Sequence, residues 1–581
     1  DDIKDYLANL PNNVKALITT RQPTLIADKA HIHLKEFSPQ DANQYIQEGL
    51  KNRKLKPAMV QDLIKTQGTL PYDLKCVVAY IIENPSADMK TIIQEIGSKI
   101  NDKLFQQLAK NKKSEKDEAW KVLQYIAHLD PDFISIEILK ELFSQDESLL
   151  SKAIKKLELL SLISIISDKE GHTGLRVHRE LQEATIYSAQ HHPQYSLLTQ
   201  EIYNNLLEIL DNLFPVVNNN PSIKWHIADK LRPQVEKVTL TVTVTSQQAK
   251  KQQASLYYKL SKYYSAVNID REKALKYAEI SLSKRYLLYV TPHPDIADSL
   301  DNIGSIYIYK NREGIKKGIN YLQEGLKMRQ ALYSGPHPDT AISLRNIGLA
   351  YLTLGNPQKE LEYMQESLRM RQALYSNIHP EIAESLNDVA WCYYELHQYK
   401  QAAIYIEESV NMFQDLYPQG NPSTIYALHT WGSLLIEENN IEKALTILHQ
   451  ALDITKIFCM NNHFTTAFIL YDLGRAYLLV QGKLKEALEY TTKSLKIRQE
   501  LHALNEQRNL IDQSLALLGD INAALGNHTK ALRLYEEALI FRKNLSLKDS
   551  LEEEEIKKKI TQLKNKDSSI IIYFKKLFRN S

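Results

Sequence analysis

Histidine and carboxylate recur two residues apart in this 581-residue chain: His293-Pro294-Asp295, His337-Pro338-Asp339 and His379-Pro380-Glu381. An imidazole beside a carboxylate could ligate a metal or relay a proton. The spacing argues against both. The motif returns about every 42 residues, and Asn421-Pro422 and Asn462-His463 keep the beat. That spreads the histidines along a lattice instead of gathering them, and a turn or helix-capping role follows. Cys76, Cys392 and Cys459 lie far apart, with no CxxC pair. This points away from a zinc site or a disulfide framework and fits a reducing compartment. No Ser, His and Asp group into a triad, and no GxxxxGK[ST] loop occurs. The residue types therefore predict recognition, not bond-breaking chemistry, and no metal.

The elements that must position these residues follow from the same period. Small residues return in register as Gly304, Gly348, Ala390, Gly432, Gly474 and Gly519. A second series is Ala274, Gly318, Glu360, Ala402, Ala444, Ala487 and Ala531; a third is Ser281, Gly325, Ser367, Ser409, Ala451, Ser494 and Ala538. A fixed period of this size marks a solenoid. Each period reads as two helices: Ile296, Leu300, Ile303 and Tyr307 have helical spacing, as do Ile319, Leu322, Leu326 and Ala331. Pro294 suits a first helical turn. The small residues predict a close crossing of the two helices, which a large side chain would push apart. One hairpin cannot bury its apolar face, so neighbours must stack into a continuous core.

The twelve-residue step from Gly348 to Glu360, or Ala390 to Ala402, and the seven-residue step from Ala402 to Ser409 resemble the tetratricopeptide repeat in its long variant. The His-Pro-Asp/Glu openings and the Ser-Leu-x-Asn/Asp cores are similar to kinesin-light-chain repeats. About seven copies span 254–543, the first with an irregular first helix.

The rest of the chain reads differently. Asp2–Leu10 predicts a short helix, Val14–Thr20 a strand followed by Arg21, and His31–Leu34 a second strand; helical sequence follows to about Ser114. Helices fit 117–129, 134–143 and 147–160, strands fit Leu162–Ser167 and Gly174–Val177, and a helix resumes at His178: three helices and a β-wing. Val238–Thr245 alternates like a strand but reads as helix from its flanks. Leu551–Gln562, with Glu552–Glu555 before Lys557–Lys559, predicts a capping helix with i,i+4 ion pairs, and a basic, aromatic tail follows.

In this order, these pieces resemble the back end of an NB-ARC-type signalling ATPase of the STAND class. Leu17-Ile18-Thr19-Thr20-Arg21 resembles its sensor strand, Gly68-Thr69-Leu70-Pro71 its Gly-Leu-Pro-Leu motif, and Val177-His178-Arg179-Glu180-Leu181-Gln182 its winged-helix histidine motif. The resemblance implies nucleotide contacts for Arg21, Pro71 and His178. It also implies a mostly α architecture: a short α/β remnant (1–37), a helical subdomain (38–115), a winged-helix-like domain (116–190), a helical linker (191–253), a right-handed α-solenoid of tetratricopeptide repeats (254–543) and a cap with a basic tail (544–581). Without the phosphate-binding loop, the expectation is no ATP hydrolysis and no cofactor in these residues. ADP or ATP would belong to a longer parent, which the start on Asp1 suggests.

On the first helix of each repeat, the face opposite the buried stripe should line a groove. It carries Asp301, Asn302, Ser305, Arg345, Asn346, Asn387, Asp388, Trp391, His429, Thr430, Tyr471, Asp472 and Arg475. By the resemblance, Asn302 and Asn346 fill a slot that grips a peptide backbone, with Asp388 and Asp472 as acidic variants and Thr430 a departure. An amide offers donor and acceptor together, and Trp391 offers an apolar platform. The expected partner is a protein or peptide, with self-association open and a cytoplasmic location. A net charge of +2 gives no footprint for nucleic acid; Lys152, Lys155 and Lys156 on 147–160 leave a DNA-binding regulator as an alternative, beside a nucleoside triphosphatase in a longer chain. No apolar run is long enough for a transmembrane helix and no signal peptide is present.

Overall fold

Period, caps and small residues together dictate stacked helical hairpins, and that is what the computed structural model contains. It describes Gln44, residues 118–544 with interruptions (145–146, 160–161, 169–170, 178, 180, 184, 187–195, 218–222, 267–269, 376, 459, 461–462 and 504–509), and 553–565. The expectations for Asp2–Leu10, Val14–Thr20 and His31–Leu34 lie outside the described residues. The chain divides into two units, the first running to Leu256 except for 216–221, the second from Tyr257 onward.

In the first unit, α1 (Glu118–Ala127), β1 (Ile134–Ser135), α2 (Ile136–Leu142), α3 (Glu147–Leu159), β2 (Ile163–Ser167) and β3 (Thr173–Val177) enclose a core of Leu123, Ile126, Leu129, Ile138, Leu157 and Leu175. The strands form one antiparallel sheet in the order β1-β3-β2, with Ile134 and Ile165 both opposite Leu175. The helix expected from 134 starts two residues later. Ile134 and Ser135 pair with β3, and the Ser135 hydroxyl accepts the Glu137 N–H as the N-cap of α2. Gly174 lets the Phe133 ring pack against the sheet: a Cβ there would lie 2.5 Å from that ring and displace it. Three further helices are α4 (Ser196–Leu213), α5 (Ile223–Thr241) and α6 (Gln247–Ala266), whose later residues enter the second unit. Buried Gln234 ties α5 to the loop after α1, accepting the Asp130 N–H at 2.6 Å and donating to the Phe133 carbonyl at 2.6 Å.

The helical expectation for Val238–Thr245 holds only to Thr241. Residues 242–245 are irregular and alternate in burial, Val242 and Val244 in, Thr243 and Thr245 out. The Gln200 side chain takes the Thr245 N–H and donates to the Thr243 carbonyl, giving β-branched residues a partner outside a helix.

The second unit continues with α7 (Arg271–Leu288) and six hairpins: α8 (Pro294–Tyr307) with α9 (Arg312–Leu332), α10 (Pro338–Leu354) with α11 (Pro357–Leu374), α12 (Pro380–Glu395) with α13 (Tyr399–Leu416), α14 (Pro422–Glu437) with α15 (Ile441–Ile457), α16 (Phe464–Leu478) with α17 (Leu484–Ala503), and α18 (Ile511–Ala524) with α19 (His528–Asn544). The partner helix before α7 is α6, which is regular and not irregular as its sequence suggested. Helix 553–565 places Ile556 and Leu563 against Ile511, Leu515 and Tyr535 and carries the expected ion pairs, Lys557–Glu553 at 2.6 Å and Lys559–Glu555 at 3.1 Å.

The histidines of the repeating motif are N-caps. Nδ1 of His293, His337 and His379 accepts the N–H of Asp295, Asp339 and Glu381 at 3.1, 3.2 and 3.2 Å. Each imidazole stacks on the tyrosine four residues earlier, Tyr289, Tyr333 or Tyr375. Asn421 replaces the cap with a capping box to Thr424. Burial holds the His463 imidazole down at about 4, so its ring stays neutral and its Nδ1 can accept the Thr465 N–H. His379→Ala is expected to cost about 1–2 kcal/mol in urea denaturation, from the lost cap and stack, with His379→Asn recovering about half. Equal losses for Ala and Asn would assign the effect to the stack alone.

A further repeating series escaped the reading of the sequence. Arg285, Arg329, Arg371, Arg498 and Arg542 sit near the ends of second helices, each 5% exposed or less. The first three donate to a serine fourteen residues on, in the next first helix: Ser299, Ser343 and Ser385. Where the arginine is replaced, so is its serine: Phe413 faces Ala427 in register, and Thr455 faces Ile469. Junctions between hairpins are thus polar at both ends of the array and apolar around α14.

Candidate ligand-binding groove

First helices of successive hairpins touch one another, α12 with α14 and α14 with α16, whereas among the described residues second helices make no comparable contact with each other. The first helices therefore form the inner face of the array, and position along each helix decides what lines it. Asn302 is buried rather than open: its amide donates to Ser261 Oγ at 2.7 Å, stapling α8 to α6. Asp301 beside it is also buried and binds Arg329 at 2.6 Å. Asn346, one hairpin on, is half-buried and has no side-chain hydrogen bond among the described residues.

Arg345 on α10 and Asp388 on α12 form a two-pronged ion pair, Nε to Oδ2 at 2.5 Å and Nη2 to Oδ1 at 3.1 Å. The Asp388 charge, against the cost of burial, raises the Arg345 pKa further. Asn387, which holds the slot of Arg345 one repeat on, has a buried Oδ1 with no hydrogen-bond partner. On α16, Asp472 accepts from His429 Nε2 at 3.1 Å, from Arg475 at 3.0 Å and from the Ser433 hydroxyl. Burial opposes its charge, but these donors outweigh it and hold the carboxyl far below the usual range. Arg475 also reaches Glu437 at 2.5 Å.

These polar pairs flank a row of rings. Tyr394 and Trp391 stack at 5.3 Å between centroids, Trp391 and His429 at 6.3 Å, and His429 and Phe468 at 5.7 Å; Phe464 and Tyr426 continue the row. The row crosses α12, α14 and α16, where the hairpin junctions are apolar. Trp391 was expected here; Tyr394, Tyr426, Phe464 and Phe468 were not. Register would have found two of them, because Tyr426 and Phe468 hold the slot of Asp298, Ile342 and Glu384.

The structure thus unites Arg345 with Asp388 and Asp472 with Arg475, sets Trp391 in the ring row, and withdraws Asn302 into a staple. Arg21, Pro71 and His178 lie outside the described residues. Chemically, the inner face offers flat apolar surface, an open amide at Asn346 and an unsatisfied acceptor at Asn387, and its ionised groups are matched to each other.

A tetratricopeptide repeat model matches residues 295–373, 361–415 and 423–500, so the hairpins from α8 to α17 are repeats of this type. No curated protein matches the chain. Among solved structures, it is similar to the nearly identical repeats of a putative kinesin light chain from Podosopora anserina (18% identity, 37% of this chain, 100% of that chain, TM-score 0.31). It is also similar to a signal transduction ATPase with numerous domains carrying a tetratricopeptide repeat sensor, from Pyrococcus horikoshii (17% identity, 81% and 74% of the two chains, TM-score 0.36). A third likeness is to aspartyl phosphate phosphatase F from Bacillus subtilis (13% identity, 74% and 95%, TM-score 0.42). No helix of the described residues is long and apolar enough to cross a membrane.

Proposed function

We propose that the tetratricopeptide array is a receptor for an extended peptide or protein segment lying along the inner face of α10, α12, α14 and α16. The observation that carries this reading is the ring row across α12, α14 and α16, together with two amides on the first helices α10 and α12 that the described residues leave unused, Asn346 and the Asn387 oxygen. A buried acceptor without a partner costs about 1–3 kcal/mol, which a ligand N–H would offset. An extended peptide supplies N–H groups at regular intervals and side chains to lie on rings. The ionised groups nearby already satisfy one another, which leaves apolar contact and amide recognition to set affinity. In this reading the array is the sensing part of a STAND-type nucleotide switch, and Arg21, Pro71 and His178 serve a nucleotide in a longer parent.

The test is selection from a random peptide library on the full chain, followed by calorimetric titration of the selected peptides. Trp391→Ala should weaken them by about 2 kcal/mol or more, roughly thirty-fold, as expected for a central aromatic anchor. Asn387→Leu, which removes the idle acceptor, should weaken binding by about ten-fold while leaving the urea midpoint unchanged or raised. Selected peptides that bind both variants as tightly as the parent would sink the reading.

A further inference from the structure

The ring row does not end at Phe468. The Arg498 guanidinium lies 5.3 Å from the centroid of the Phe468 ring and 4.8 Å from that of Tyr471, within cation–π range of both. Arg498 is 2% exposed. Its Nη1 donates to the Leu510 carbonyl, and its Nη2 is buried with no hydrogen-bond partner. Arg285, its relative at the other end of the series, also lies over a ring, Tyr258, and donates to the Asp295 carbonyl and to Ser299, but the three others pair with acids. Arg329 binds Asp298 and Asp301, Arg371 binds Glu381 at 2.8 Å, and Arg542 binds Asp512 at 2.6 Å. The two acids near Arg498 are committed elsewhere, Asp472 to His429, Ser433 and Arg475, and Asp512 to Arg542.

A cation taken out of water without a direct ion pair is costly; among the described residues, rings and one carbonyl touch this guanidinium, and Asp472 and Asp512 act on it only through their charge. Burial draws its pKa down to about 10, still charged at neutral pH. Phe468 and Tyr471 are half-buried, so both reach the surface of the groove while the guanidinium sits behind them. A group that meets Nη2 from the groove has to pass these rings, and an acceptor carrying negative charge suits the unpaired guanidinium best.

We propose that Arg498 receives a glutamate or aspartate side chain of the peptide bound along the ring row, the carboxylate passing Phe468 and Tyr471 to pair with Nη2. This rests on the reading of the array as a peptide receptor. It adds a charge requirement at one end of the groove, at a residue on a second helix that the first-helix face does not include.

Each peptide selected on the full chain is resynthesised in three forms: unaltered, with Glu and Asp changed to Gln and Asn, and with its C-terminal carboxyl amidated. All are titrated against the parent protein, Arg498→Thr and Arg498→Lys. Threonine is what the preceding repeat carries at this position, as Thr455, so the array accommodates it. The expected result is a ten-fold or greater loss on side-chain amidation against the parent and against Arg498→Lys, no loss against Arg498→Thr, and indifference to the C-terminal amide. Peptides that bind but lose equally against the parent and Arg498→Thr overturn the proposal and leave the receptor standing. So do peptides sensitive only to the C-terminal amide. A library that yields no binding peptide overturns the receptor and this proposal with it.

Discussion

Arg329→Ala should cost the repeat array about 3–5 kcal/mol in equilibrium urea denaturation, the range for breaking a buried ion pair from one side. Arg329 is 3% exposed and binds Asp301 at 2.6 Å, Asp298 at 2.5 Å and the Ser343 hydroxyl. It thereby joins α9 to its own partner α8 and to α10 of the next hairpin. Asp301 shows how finely this is balanced. Burial raises its carboxyl to about 6, even with Arg329 drawing it down. Without the arginine, the carboxylate loses its directly bonded cation, keeps only the weaker field of buried Lys262, and titrates higher still. A raised folded pKa gives stability below the unfolded value, lost as pH rises through the folded one. The deficit of Arg329→Ala should therefore be largest near pH 7.5 and shrink toward pH 5, where a protonated Asp301 needs no cation. Arg329→Met with Asp301→Leu should recover most of the loss, since both charges are gone. A single variant as stable as the parent at pH 7.5, or a double variant no better than the single, would show that the clamp does not hold these hairpins together.

The architecture was legible because its causes are periodic. A proline after three of the four capping histidines, a small residue at most crossings and apolar residues at helical spacing recur along the repeats, and seven copies average out local noise. The caps were legible for the same reason. The inner face was read less well because a slot's meaning depends on what reaches it from a neighbouring helix. Asn302 and Asn346 occupy the same slot, yet Ser261 claims the first and nothing claims the second. Asp388 read as a peptide contact, but its partner Arg345 lies 43 positions earlier and meets it only when α10 and α12 are stacked. The arginine–serine series was present in the sequence. Its two halves lie on different hairpins, and the covariation of Phe413 with Ala427 and Thr455 with Ile469 acquires meaning only once those helices are adjacent. At Val238–Thr245 the flanks suggested helix, while alternation correctly marked which of the last four residues are buried.

Gly318→Leu should be nearly as damaging, at about 3 kcal/mol, for a reason that concerns backbone. A Cβ at Gly318 would lie 2.8 Å from the Gly304 carbonyl oxygen and 3.0 Å from Tyr307 Cβ; one at Gly304 would lie 2.9 Å from the Gly318 carbonyl. Each glycine faces the other's main chain, so neither helix can yield by turning a side chain, and α8 and α9 must separate. Gly348 provides the contrast. Its Cβ would meet Met364, whose flexible end stands 3.0 Å away and can move. Gly348→Ala should accordingly be near neutral, since alanine gains up to about 1 kcal/mol of helix propensity over glycine. Gly318→Ala should lose that gain and more. Separation of α8 from α9 also pulls Asp298 and Asp301 away from Arg329, so the leucine variant should inherit part of the pH dependence of Arg329→Ala. A Gly318→Leu protein within 1 kcal/mol of the parent, or a Gly348→Ala protein as unstable as Gly318→Ala, would mean that the crossing is set by something other than the approach of these two backbones.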